Sequence, residues 1–475
     1  MMSIRAIGLA AGVALLTSLA ACGGGSSSSP PASPVLQSIA VTPNPFSTGV
    51  GVSRRMVATG TYSDGSTVDL TSLAAWSTTN PGTATVAGGR VSGVAVGTTT
   101  VSAALGAIAG SGTLSVSANT WSSVAPMLMA RTDHTATVLP NGKVLVVGGS
   151  GSGLVSLTSA ELYDVDADAW FSAGSLGTAR TNHTATLLQS GKVLVVGGWQ
   201  NASGSTVVTL ASAELYDPSN NTWASAASLS AARSNHTATL LPDGKVLVVG
   251  GNGSLPDVET YDPVTNTWTP GPASGVARSS HAALLLQTGK VMVMGGGSTN
   301  VSFPDGNFSS ITASTQIFDP ATGAWSHAAD MINRRSDFTA TLLPSGIVVA
   351  AGGFQNLCFG TTGVCTAYAI RFADRYDPAT GVWTAVAPMS QERYAHTATL
   401  LSNGKLFVVG GQNYGGAPSE RNTAQLFDPA SGLWADTANL MYRRTRHTAS
   451  PTPGGVIVCG GTGELGVMSS CERYW

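Results

Sequence analysis

The chain has 475 residues, with Lys+Arg 23 against Asp+Glu 25, a net charge of −2, and only 10% charged residues. Charge this sparse and this balanced excludes an electrostatic nucleic-acid binder and a solvated disordered chain. The 58 glycines point to strands joined by tight turns.

Residues 1–22 read as an export signal: Arg5 supplies a thin positive start, and the apolar run after it is too short to span a bilayer comfortably. The run ends in Leu19-Ala20-Ala21-Cys22, which resembles the lipobox of bacterial lipoproteins. The resemblance implies cleavage before Cys22 and lipidation of its thiol, so the expected membrane association is an anchor rather than a span. Gly23 stands where many inner-membrane lipoproteins carry Asp, which leans the expected destination to the outer membrane. Residues 23–35, rich in Gly, Ser and Pro, read as a flexible tether.

Residues 36–118 alternate short apolar runs with turn signals, the pattern of a small β-sandwich. The turn at Tyr62–Gly65, Trp76 before Ser77, and Gly93 and Gly97 resemble the bacterial immunoglobulin-like group 2 domain. That resemblance implies a spacer or adhesion module, with Trp76 in the core between two sheets.

From residue 119 to 475 the chain repeats itself. Trp recurs at 121, 170, 223, 268, 325, 383 and 434, and thirteen residues after each stands a His, or Phe338 in one copy. An Arg lies three residues before each of those positions, and a strand-like run ending in Gly-Gly follows, as in Gly142–Gly149. An AELYD-like strand then leads to the next Trp. Nearly all length variation falls between Gly-Gly and that strand, as a fixed frame with one tolerant loop requires. The pattern resembles kelch repeats, which implies a β-propeller of four-stranded blades. The opening Trp121 strand lacks its own first three strands, and the closing strand at Cys471–Trp475 lacks a fourth. Together they complete one blade. The expected fold is therefore all-β, a small Ig-like sandwich followed by a seven-bladed kelch-type propeller closed by an N-terminal outer strand in the last blade. Closure removes exposed sheet edges.

The repeated polar residues read as scaffold. Six His at one repeat position would each make the same local hydrogen bond within a blade, because copies on separate blades converge poorly on one metal and Phe338 cannot be a ligand. The Arg residues are expected to meet the Glu161-type position, where Gln316 and Gln425 keep an acceptor. The five Lys at the start of the second strand read as a solvated ring. No metal and no cofactor are expected. An even number of Cys after export favours disulfides, Cys358–Cys365 closing a loop and Cys459–Cys471 linking neighbouring strands.

Strand direction puts the d–a and b–c loops on one face, and that face carries the unusual side chains. Candidate ligand-binding residues are Trp199, Gln200, Asn201, Phe303, Asp305, Asn307, Phe308, Phe354, Gln355, Phe359, Tyr368, Arg371, Gln412, Asn413, Tyr414, Glu420 and Arg421. Aromatic faces with amide and carboxylate neighbours suit stacking on a sugar or gripping a peptide. A second set precedes the His position: Asp133, Asn182, Asn235, Ser280, Asp337, Ala395 and Arg446. These either surround the central channel as a polar site or cap strand ends locally; local capping is the expected role.

The function expected is that of a non-catalytic, lipid-anchored cell-envelope protein whose propeller binds a glycan or protein, with no nucleic-acid partner. The alternative is an enzyme acting on carbohydrates, a galactose-oxidase-like copper radical oxidase or a sugar mutarotase. The oxidase family uses a Tyr-His dipeptide and a domain after the propeller. Here the nearest match is Tyr394-Ala395-His396, offset by one, and the chain ends on a propeller strand.

Overall fold

The computed structural model describes residues 33–201, 207–251, 258–298, 310–359, 364–414, 419–453 and 455–475. The signal segment with Cys22 and most of the tether lie outside the described residues.

The first region is a β-sandwich of short sheets. One joins Leu36–Thr42, Val57–Tyr62 and Thr67–Asp69, and another joins Phe46–Gly49, Ile108–Ser117, Gly97–Leu105 and Ala75–Thr78. Alternate residues of these strands point inward, as Ala58, Val101 and Leu114 do, and Met56, Leu70 and Val91 complete the core. Trp76 is only half-buried at the core's margin, its indole donating to the Thr71 carbonyl at 2.9 Å. It therefore flanks the sandwich interior, where the sequence reading had placed it inside.

The repeat folds into seven four-stranded antiparallel sheets. In blade 1 the strands a to d are Thr135–Val138, Val144–Val147, Ser159–Asp164 and Ala169–Ser175. Blade 7 takes a, b and c from Thr448–Thr452, Gly455–Cys459 and Cys471–Tyr474, and its d strand is Trp121–Val124, paired Trp121 to Tyr474. Each inner a strand neighbours the next, and the seventh neighbours the first, so the ring is closed. The b strands read Val-Leu-Val-Val or similar and are buried on both faces, because each sheet is sandwiched between two others. Cys459 and Cys471, opposite each other on strands b and c of blade 7, are joined by a disulfide. Cys358 and Cys365 are direct register partners, and their side chains lie outside the described residues.

The seams between blades explain the repeat. Each His reaches across to the first residue of strand a in the preceding blade: His183 Nε2 to Thr135 Oγ1 at 2.9 Å, His236 to Thr184 at 3.0 Å, and around to His134 with Thr448 at 2.9 Å. The bond lies between blades, not within one as the sequence suggested. The single exception is matched on both sides: Phe338 faces blade 4, whose strand a begins with Ala282 instead of Thr. Replacing both partners with apolar groups leaves nothing unsatisfied.

The Arg residues lock each blade internally. Arg335 Nη1 donates to the Gly352 carbonyl at 2.8 Å and Nη2 to Asp374 at 2.7 Å, both groups fully buried. Glu161 accepts from Arg131 and also from the Leu128 and Met129 amides, which fastens the d–a crossing. In blade 4 Gln316 accepts from Arg278 at 2.8 Å. Blade 6 departs from the reading: Gln425 turns its amide to Ser390 and Asp436, and Arg393 donates to Thr423 instead. Each Trp packs on the aromatic ring of its own strand c, Trp170 on Tyr163 with centroids 5.0 Å apart, and faces the neighbouring blade. The paired Gly are required, since both have positive φ and a Cβ on Gly148 would sit 2.5 Å from the Arg180 carbonyl. The Lys residues are ion-paired rather than merely solvated, as in Lys192 with Asp217 at 2.9 Å.

Candidate functional site

The residues just before the His positions form a second, axial ring. Their amides and carbonyls bond head to tail: Asn182 N to Asp133 O, Asn235 to Asn182, Ser280 to Asn235, Asp337 to Ser280, Ala395 to Asp337, Arg446 to Ala395, and Asp133 to Arg446, at 3.0 to 3.3 Å. All seven have φ between 49° and 55°. None of the seven is glycine, and left-handed backbone at a non-glycine residue is held only where the surroundings over-determine it. The closed circle of hydrogen bonds does so here.

Because backbone satisfies backbone, the side chains are spared from capping and line a cavity of about 430 Å³ at the mouth of the channel. This corrects the local-capping expectation. Asn182, Asn235 and Ser280 make a neutral arc, and Asp337, Ala395, Arg446 and Asp133 make a charged one. Arg446 stands 3.6 Å from Asp133, a loose contact with the guanidinium half exposed. Desolvation lifts the carboxyls of Asp133 and Asp337 above the usual carboxylate range. The six His below the ring are buried, which together with the adjacent Arg holds them neutral, His236 and His447 down at about 3.

The described stems of the b–c loops are bridged to the axial segments around this mouth, as Phe354 is to Ser336 and Gln412 to Tyr394. Three expected site residues, Phe354, Gln412 and Tyr414, gather there around Tyr394. Phe354 lies 5.4 Å from Tyr394 and 5.6 Å from Tyr414, ring to ring, and Gln412 donates to the Tyr394 hydroxyl. Gln355 donates to Tyr368 in the same loop stem. Arg421 is held by Glu392 at 2.6 Å, and Asn413 and Glu420 frame the stem of the same loop. The other set stands apart. Asn201 fastens to blade 1, donating to the Ser156 hydroxyl and the Leu154 carbonyl, while Trp199 and Gln200 pair with Thr209 and Val208. Arg371 is exposed in the return to strand c. Phe303, Asp305, Asn307 and Phe308 lie outside the described residues, as does the side chain of Phe359. Tyr394 was absent from the expected site. Its signal was available: it adjoins the one repeat position where side chains diverge while the frame stays fixed.

The described residues thus form a closed propeller with a polar axial mouth. A model described as the KLHDC2/KLHL20/DRC7 Kelch-repeats domain matches residues 88–296 and 133–353, and the bacterial Ig-like domain (group 2) matches 35–117. The chain thus belongs to the kelch-repeat proteins and carries a group 2 Ig-like domain. It is similar to Kelch-like protein 15 of Mus musculus, 28% identical over 175 residues, covering 33% of this chain and 26% of that protein. The match therefore spans about a quarter of that relative's length. It is also similar to Ice-binding protein 1 of Shewanella frigidimarina, 44% identical over 72 residues, or 15% and 8% of the two chains. Among solved structures, a fungal alcohol oxidase of the AA5 family in complex with copper shares the fold with TM-score 0.59 and 18% identity, over 75% of this chain and 76% of that one. YjhT follows with TM-score 0.52 and 16% identity, over 66% and 99%.

The described residues that stand nearest the oxidase pattern do not fit a copper centre. Among the described residues no three His, Cys, Asp or Glu side chains come together. His396 turns its Nε2 into a blade seam against Thr339 at 3.0 Å, and the Tyr394 hydroxyl is engaged by Gln412.

Proposed function

We propose that this is an exported, lipid-anchored protein of the cell envelope, held at the outer membrane through Cys22, whose propeller binds a protein partner at the axial mouth. One observation carries the reading: Tyr394 lines the same cavity as the divergent axial side chains, with Phe354 packed on its ring and Tyr414 packed on Phe354. Kelch repeats as a class bind proteins, and a concave site of this size takes a side chain or a short loop rather than a whole domain. A glycan is the second reading, favoured by Tyr394 sharing one cavity with the Asn182 and Asn235 amides. The oxidase and mutarotase readings have fold likeness alone behind them.

The test is retention of the full chain on protein and glycan arrays, with Tyr394→Ala and Tyr414→Ala in parallel. Loss of a protein ligand in both variants supports the reading; retention untouched by either removes the mouth from it. Anchoring is checked separately: Cys22→Ala should move the protein from the membrane to the soluble fraction and abolish fatty-acid labelling.

A further inference from the structure

The closed hydrogen-bond circle holds seven axial residues in one backbone conformation, so their side chains are compared on equal terms. Asp133 has Arg446 at 3.6 Å. Asp337 touches the hydroxyls of Ser280 and Ser336 and, among the described residues, has no ion pair. Its neighbour around the circle is Ala395, so only a methyl group stands between Asp337 and Arg446. The residue before Ala395 is Tyr394, with Phe354 5.4 Å beyond it. A carboxylate with no direct ion pair among the described residues, a gap between it and Arg446, and an aromatic wall at the gap's edge occur together once in the circle.

Each candidate ligand meets a different balance. A neutral sugar would leave the Asp337 charge uncompensated as it displaced water. A carboxylate would find Arg446 but also two acids. An alkylammonium offers three donors to Asp337, an apolar stem for the Ala395 methyl, and a cation for the ring faces. We propose, resting on the protein-binding reading above, that the notch between Asp337 and Tyr394 receives a lysine side chain of the partner, its ammonium donating to Asp337 and its methylenes crossing Ala395.

The experiment pans a displayed random dodecapeptide library on the full chain, with a glycan array alongside. Enriched peptides should share a lysine, and acetylating that lysine should lower retention at least tenfold on the unaltered protein. Asp337→Asn, which keeps the side chain's shape, should lower it as much. Arg446→Ala should raise retention severalfold by removing a like charge, an effect no folding defect produces. Enriched peptides without lysine, or lysine peptides that tolerate acetylation, overturn the proposal while leaving protein binding standing. Retention of glycans with no peptide removes both.

Discussion

Two adjacent positions of the repeat behave in opposite ways. The His position is uniform in six copies, buried, and bonded across a seam. The position before it carries Asp, Asn, Asn, Ser, Asp, Ala and Arg on one shared backbone conformation, and its side chains face a cavity. The uniform layer is what every blade needs to adhere to its neighbour. The diverse layer is free to differ because the backbone circle satisfies itself. In this repeat, sameness marks the scaffold, and difference is confined to a position whose backbone is fixed independently of its side chain.

Acid should break the uniform layer first and hardest. The six seam His are held neutral by burial, so their folded-state affinity for protons is depressed. An unfolded chain binds protons below about pH 6.5 that the folded chain refuses. Stability is therefore complete above that pH and falls as pH drops towards 3, with a limiting slope of about 8 kcal/mol per pH unit if all six act together. Denaturant titrations between pH 7 and 4 measure it, and a flat profile would show that the seams tolerate charged imidazole.

Next in size is Arg335→Met, which strands Asp374 in a fully buried site. A loss of about 3–5 kcal/mol is expected in chemical unfolding, as for other orphaned buried charges. Smaller, and more diagnostic, is the blade 4–5 seam. Ala282→Thr or Phe338→His alone should destabilise by about 1–3 kcal/mol, each leaving a polar group without its partner. The double variant should recover part of that, a coupling of about 1 kcal/mol in a double-mutant cycle; strict additivity would deny the seam its hydrogen bond. At the small end, Asn235→Ala in the diverse layer and Lys192→Ala on the opposite face should each shift stability by less than about 1 kcal/mol. A large loss at Asn235 would return that ring to the scaffold.

Much of this was legible in the chain. The spacing of Trp, Arg, His and Gly-Gly announced the blades, and the two incomplete termini announced how the ring closes. The partners of those residues were harder to read. Gln425 sits in the acid position yet turns to Asp436, because only the folded blade brings Asp436 within 2.7 Å. The His bond, expected within a blade, forms between blades for a similar reason: sequence orders residues along a blade, while His183 and Thr135 meet only across a seam. The mouth is not legible in the sequence because a residue beside a strand end ordinarily spends its side chain on nearby backbone, and here a sevenfold circle makes that unnecessary.

By itself, the sequence determined periodicity: which residues recur, at what spacing, and therefore which elements form and how many. It also fixed where the frame tolerates change. Tertiary structure decided convergence. Asp133, Asp337, Tyr394 and Arg446 are far apart along the chain, and only closure of the disc, with its circle of backbone hydrogen bonds, aims them at one space. Local patterns encode local geometry, whereas a cavity on a symmetry axis belongs to no single repeat.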